Sequence, residues 1–310
     1  MLAVIWKALQ NCPKQLNSIA VTARCLISSA AIELAVEHDL PIYFFDEIGD
    51  ATACLRSPYF ESISSLRRKQ VYFDDHPDAV SWVISLLKLK TEEQLSVLAY
   101  LRNRRKAQVD QIFEAEVYLK ENLPALTQIK ALLLDEISPQ LMGWEGMQSK
   151  CYWETVSKAL PLSWQFPRRS RRPATDGFNA ALNYLYGMLY TVVEQAIFAA
   201  GLDPHLGILH VDQYDAPTLA FDLIEPFRPA VDRLLIEQFM TNQVEPSHFD
   251  QRGPGWYLNS AGKRLFIPLF NGWLEEKSRF RGRRRSNRLH IYQEAADLAR
   301  QINDFDPNKL

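Results

Sequence analysis

Residues 178–200 constrain the fold more than any other part of the chain. Apolar side chains fall at 178, 181, 182, 185, 188, 189, 192, 193, 196 and 200. That spacing follows the 3.6-residue period of a helix with a broad apolar stripe, which other elements must cover. Gly201 comes directly after the last of them and Pro204 soon after. Together they form a C-terminal stop.

Helical character extends far beyond this segment. From Ala79 onward Trp82, Ile84, Leu86, Leu87 and Leu89 read as one apolar face, and residues 91–121 as a long charged helix or helix pair. Pro124 and Pro139 punctuate the next stretch, and 228–240 and 292–304 are further helices. The first part of the chain differs. Residues 18–23 are a short β-branched run, and 28–39 carry apolar residues at helical spacing with Ser28 or Ser29 available as N-cap. Residues 41–47 are an aromatic and β-branched strand, 48–50 a turn, and 51–55 a strand that pairs back. The acidic, Pro-containing stretch "DDHPD" (74–78) separates the two regimes. The expected class is α+β: a β-rich N-terminal domain over 1–73, then a larger all-helical domain over 74–310.

Bulk properties exclude several classes. Hydrophobic content of 47% and charged content of 23% are those of a globular protein. No apolar run approaches the roughly 20 residues needed to span a bilayer. The N-terminus lacks the basic flank and small-residue cleavage site of a signal peptide. Cys12, Cys25, Cys54 and Cys151 are scattered without a CxxC pair. Reduced thiols in a cytoplasmic protein are expected, and no cysteine zinc site.

The formal net charge is -2, but basic residues are concentrated. "KSRFRGRRRSNR" (277–288) holds seven Lys/Arg and no acid, and "RRSRR" (168–172) holds four more. Both lie beside Gly, Ser or Pro and are expected as loops or helix ends. Each is either a solvated charge run or a grip on phosphate oxygens, which the guanidinium fork matches.

Acid or imidazole stands among apolar neighbours at three places. Glu145 lies between Trp144 and Gly146, on what reads as the buried side of a helix. A carboxylate there must be solvated, paired or metal-bound. His210 comes after a short apolar run. Asp222 and Glu225 are three apart, so on a helix they share a face. Two carboxylates and an imidazole suit Mg²⁺ or Mn²⁺. The plainer alternatives are a hydrogen-bonded, half-buried histidine and an exposed helix face pairing with Arg228 or Arg233.

Three separated segments share one likeness. "EGMQSKCYW" (145–153) is similar to a Glu-Gly-x-x-Ala-x-x-Tyr-Trp/Phe pattern, with Ser149 where Ala is common; residues 171–210 and "LAFDLIEPFRPAVDR" (219–233) come after it in order. Together they resemble the CRISPR-associated integrase-endonuclease family, the catalytic subunit of the spacer-acquisition complex. Residues 17–50 resemble its β-domain, so the likeness covers most of 17–240. The resemblance implies metal ligands Glu145, His210 and Glu225, the last standing where many members carry Asp. It implies Asp222 as a supporting acid, and Asn179 and Arg228 as polar residues that orient ligands or contact DNA. Trp144, Tyr152 and Trp153 are expected as core around the site. Only sixteen residues precede Asn17, where the family has a strand or two more, so a trimmed β-domain is expected.

The expected function is that of a metal-dependent DNA endonuclease and integrase. It would insert short fragments into a CRISPR array by 3′-hydroxyl attack on repeat phosphodiesters. Arg168, Arg169, Arg171, Arg172, Arg228, Arg281, Arg283, Arg284 and Arg285 would grip DNA. Expected partners are DNA, a second copy of the chain and a small non-catalytic subunit, without a membrane. A non-catalytic DNA-binding scaffold and a branched-DNA repair nuclease are the alternatives.

Overall fold

In the computed structural model, which describes residues 16, 18–22, 24–38, 40–46, 51–55, 64–129, 133–210 and 216–305, the chain divides into two units, Met1–Phe60 and Glu61–Leu310. The first unit contains β1 (Ile19–Val21), α1 (Ser29–Glu37), β2 (Ile42–Phe45) and β3 (Ala51–Leu55). β2 is central, parallel to β1 with Ile19 opposite Ile42, and antiparallel to β3 with Tyr43 opposite Cys54. A parallel pair needs a crossover, and α1 supplies it. Ser28 caps α1 by accepting the Ala31 N–H at 3.2 Å, and Ala35, Leu40 and Ile42 form a small core. The expected turn at 48–50 and the segment through residue 15, to which the expectation of a trimmed β-domain refers, lie outside the described residues.

The second unit begins earlier than residue 74. Its first helix, α2 (Ser64–Gln70), packs on the last, α10 (Asn287–Asp304). Gln70 also brackets Asp203, donating to its carbonyl at 2.8 Å and accepting its N–H at 2.9 Å. Between them run α3 (Pro77–Arg104), α4 (Val109–Thr127), α5 (Ser138–Ala159), α6 (Gly177–Ala199), α7 (Thr218–Leu223), α8 (Arg228–Met240) and α9 (Ser260–Glu275).

α6 runs where the periodicity predicts it. Asp176 caps its N-terminus, and Gly201 leaves it with φ of 80°, the left-handed conformation that glycine takes without a Cβ penalty. It is buried on nearly all sides and packs against α7, α8 and α10. α3 starts from an N-cap at His76 with Pro77 in the first turn. Its buried stripe runs through Val83, Leu86, Leu87, Lys90, Gln94, Val97, Leu98 and Leu101. That face packs on α4, α5 and α8.

The α+β class is borne out, but the larger unit is not all-helical. Two antiparallel hairpins interrupt it: β4 (Phe249–Arg252) with β5 (Gly255–Leu258), and β6 (Lys277–Phe280) with β7 (Arg283–Ser286). The basic segment 277–288, expected as a loop or helix end, is therefore largely a hairpin. Its two-residue turn is Arg281–Gly282, with φ of 46° and 75°. Positive φ at both positions gives the turn twist that matches paired strands. Among the described residues, no helix is long and apolar enough to cross a membrane.

Candidate active site

α3 places a lysine on its buried stripe. Lys90 is one turn beyond Leu86, and its side chain is 7% exposed. An ammonium cannot stand there unpaired. Its Nζ bonds Glu145 Oε1 on α5 and lies 2.7 Å from Glu225 Oε2. Ser149, one turn on from Glu145, donates to the same Oε1 at 2.7 Å. Ser at this position in place of Ala thus adds a hydrogen bond to the carboxylate. Burial opposes ionisation of Glu145, but the Lys90 charge and the bonds from Lys90 and Ser149 hold its carboxyl down at about 2. Glu145 lies in the second turn of α5.

α7 ends at Leu223, and the chain tightens into a 3-10 turn, Glu225–Phe227, before α8 opens with Arg228. This step sends Asp222 and Glu225 to different partners, although helical spacing would put them side by side. Glu225, 6% exposed, takes Arg228 Nη1 on Oε1 at 2.6 Å. Burial works against the Glu225 carboxylate, yet Arg228 and Lys90 keep its pKa below the ordinary value. Arg228 in turn bonds the Tyr190 hydroxyl and lies over the Tyr186 ring at 5.2 Å.

Asp222 faces the other way and holds the loop that carries His210. Its buried carboxylate accepts the backbone N–H of Ile208 at 2.7 Å, Leu209 at 3.0 Å and His210 at 3.2 Å. His210 Nδ1 lies 2.6 Å from Asp222 Oδ1. A carboxylate has no proton to give, so Nδ1 carries the hydrogen, and when the ring is neutral its lone pair is on Nε2. Burial disfavours the imidazolium, but Asp222, with help from Glu225, outweighs it and lifts the pKa above the ordinary value. Gly207 is required where this loop turns. A Cβ there would sit 2.3 Å from the His210 carbonyl oxygen and 2.8 Å from the Thr218 side chain.

Glu145, His210 and Glu225 line one cleft of about 260 Å³, together with Arg171, Tyr190 and Arg228. The structure thus brings together three residues that lie far apart in the chain, with Asp222 behind the imidazole. Oxygen donors from two carboxylates and one imidazole nitrogen fit a hard divalent cation. Among the described residues no three such donors converge as a ready cluster. The Lys90 ammonium stands between the two carboxylates instead. Lys90 escapes a reading of the sequence because lysine is counted as polar, although its place on the α3 stripe was a visible signal.

The "RRSRR" segment separates into two kinds of arginine. Arg168, Arg171 and Arg172 are exposed. Arg169, expected to grip DNA, turns inward: it bonds Asn179, donates to Asn183 Oδ1 at 3.0 Å, and lies over the Trp153 ring at 5.2 Å. Asn179 and Asn183, one helical turn apart, also donate to the carbonyls of Arg168, Ser170 and Arg171, lacing the loop to α6. Asn183 was missed, and its i+4 relation to Asn179 was the signal. Arg228, also expected on DNA, is committed to Glu225 and Tyr190. In the hairpin, Arg281 pairs with Glu294 at 2.9 Å and Arg285 donates to Gln293 at 3.1 Å, whereas Arg283 and Arg284 are exposed. Tyr152 is core: it and Tyr186 donate to the buried Asp232 at 3.0 and 2.6 Å.

Comparison with known proteins agrees with this architecture. A "CRISPR-associated endonuclease Cas1 1" from Archaeoglobus fulgidus is 30% identical over 282 residues, covering 87% of this chain and 81% of the relative. One of the same name from Thermus thermophilus is 30% identical over 264 residues, covering 85% and 77%. Solved structures share the fold at lower identity. A casposase bound to integration product has a TM-score of 0.80 at 22% identity, covering 96% of this chain and 85% of that one. A Cas1 protein from Thermotoga maritima has a TM-score of 0.77 at 23%, covering 94% and 88%. The family model described as CRISPR associated protein Cas1 matches residues 7–272, and the chain belongs to that family.

Proposed function

We propose that this chain is a metal-dependent DNA endonuclease and integrase that inserts short DNA fragments into a CRISPR array. The observation that carries this reading is that Glu145, His210 and Glu225 all line one cleft. Family membership supports it, and so do relatives named as endonucleases. Glu145, Glu225 and His210 Nε2 would hold Mg²⁺ or Mn²⁺. When bound, such an ion polarises a phosphodiester oxygen and makes a hydroxyl easier to deprotonate.

The protein's own residues do the positioning. Asp222 fixes the His210 tautomer and aims the ring, and Arg228 anchors Glu225 at 2.6 Å. A fragment 3′-hydroxyl attacks a repeat phosphodiester, a new P–O bond forms, and the repeat 3′-oxygen leaves with a proton. Trans-esterification of this kind requires no covalent protein intermediate. Gly143 and Gly146 flank Glu145 on α5, and a Cβ at either would meet nothing within 4 Å. Each costs the helix about 1 kcal/mol relative to Ala. That cost is consistent with a surface left open for DNA to approach the carboxylate.

Two basic surfaces suit the phosphate backbone. One is the laced loop with Arg168, Arg171 and Arg172, of which Arg171 lines the cleft. The other is one face of the hairpin, where Arg279 lies directly opposite Arg284 with Lys277 beside them. Like charges opposite one another destabilise a strand pair, so this face is better suited to an anion than to folding. In this reading the chain works in the cytoplasm as a homodimer with a small non-catalytic subunit. A structural neighbour, a Cas6-RT-Cas1–Cas2 complex, has a TM-score of 0.79.

The test is strand transfer of a labelled fragment into a supercoiled plasmid carrying a leader and repeat. Joined product with Mn²⁺, absent in EDTA and in Glu145→Ala, is expected. DNA binding without joining, even with the small subunit added, would overturn the enzymatic reading in favour of a scaffold.

A further inference from the structure

The cleft is electrically balanced by its own side chains. Glu145 and Glu225 line it with Arg171 and Arg228, and behind this lining Asp222 meets His210 and Lys90 bridges the two glutamates, which makes three carboxylates and three cations. With His210 neutral their formal sum is zero. Lys90 and Glu225 are 7% and 6% exposed, so water screens the centre of this set poorly. A divalent cation placed among the two glutamates would therefore bring two uncompensated positive charges into a partly buried space. The compensation available to a DNA enzyme is the substrate, because phosphodiesters carry one negative charge each.

We propose that Lys90 is a built-in counter-cation that couples divalent-ion loading to DNA. In the free protein its ammonium holds Glu145 and Glu225 together, and the ion binds weakly. When a phosphate enters the cleft, the added negative charge offsets the ion and both bind tightly. By linkage, the ion must then strengthen DNA binding by the same factor. This rests on the metal-dependent reading above, and deepens it by assigning a residue that is neither a ligand nor a DNA contact in that reading.

The experiment measures Mn²⁺ binding by titration calorimetry, with and without a short duplex, in wild type, Lys90→Met and Lys90→Arg. Glu145→Ala serves as the blank for ions held by DNA itself. Wild type should bind Mn²⁺ about tenfold more tightly with DNA, within the usual range of coupling. Lys90→Met should bind Mn²⁺ about tenfold more tightly than wild type in the absence of DNA, gain little from DNA, and show a larger melting-temperature rise with Mn²⁺. Lys90→Arg, which keeps the charge, should retain the coupling. If Lys90 merely ties the fold together, Lys90→Met would bind Mn²⁺ more weakly, and the proposal would be overturned. Tight Mn²⁺ binding in wild type that ignores DNA and is lost in Glu145→Ala would overturn the coupling while keeping the metal site. No Mn²⁺ binding under either condition, with DNA still bound, would overturn the metal-dependent reading and the coupling with it.

Discussion

Phe280 stacks on Phe227, with ring centroids 5.0 Å apart and planes 25° from parallel. Phe227 closes the short turn that opens with Glu225, so the basic hairpin rests directly on the segment that positions a candidate ligand. Phe280→Ala should cost about 3 kcal/mol of stability, the usual toll of removing a buried aromatic ring. It should also weaken DNA binding although no charge changes. Urea denaturation and fluorescence anisotropy with a labelled duplex would show both; unchanged DNA affinity would uncouple the hairpin from the site.

The two kinds of arginine in the basic segments should behave differently on substitution. Reversing Arg279 and Arg284 to Glu should weaken DNA binding and reduce the slope of log K against log[salt] by about 2, near one unit per lost phosphate contact. Folding stability should hold, because one exposed like-charge pair replaces another on the same strand register. Arg169→Ala should instead lower stability by about 2 kcal/mol through lost hydrogen bonds and ring contacts. Its salt slope should stay that of wild type. Equal salt slopes for all three proteins would remove the hairpin face as the grip.

In the proposed reading, His210 as a metal ligand gives the reaction a lower pH limit. Its imidazole, raised by Asp222, must lose its proton before Nε2 can serve as a ligand. Mn²⁺ binding should therefore strengthen as pH rises through a value above the ordinary imidazole pKa, and strand transfer at limiting Mn²⁺ should follow it. Asp222→Asn removes the negative partner and should move that limb to lower pH. Maximal activity should also fall, because an amide cannot accept all three loop N–H groups. A limb that does not move on this substitution would separate His210 from the titration.

Asp232 predicts a second pH effect, on stability rather than on activity. Complete burial lifts its carboxyl to about 7 against the opposing hydrogen bonds from Tyr186 and Tyr152. In the unfolded chain it titrates near 3.8. Between those values the folded state holds a proton that the unfolded state has released, so stability falls as pH rises. Below the unfolded pKa the contribution is fully present; above the folded pKa it is gone. Wild type should lose about 2 to 3 kcal/mol from this group between pH 5 and pH 8. Asp232→Asn should lack that component. Urea midpoints at the two pH values in both proteins would measure the difference.

Legibility in the sequence depended on whether the signal was local. α6 could be read because its apolar period is long and its stop residues are adjacent. The β6–β7 hairpin could not, because Arg occupies both faces and only Phe280 enters the core. Its one local mark was the Arg281–Gly282 turn. Lys90 lay on a visible stripe but was hidden by its charge. The grouping of Glu145, His210 and Glu225 has no local signature: helix packing brings them together, and only resemblance to a family pointed to the set in advance. Asp222 and Glu225 were misjudged as a pair because a 3-10 turn replaces the helical step between them.

Gly207 bears on how freely this cleft could be redesigned. Its neighbours there are the His210 carbonyl and the branched Thr218 side chain, neither of which can rotate aside. A saturation library across the His210 loop, selected for spacer uptake, should return a single allele at position 207. At 143 and 146, beside Glu145, the same selection should tolerate alanine and small polar residues. The wall of the cleft that presents the imidazole is thus closed to gradual change, and the wall that presents the first carboxylate is where variants with altered DNA preference can accumulate.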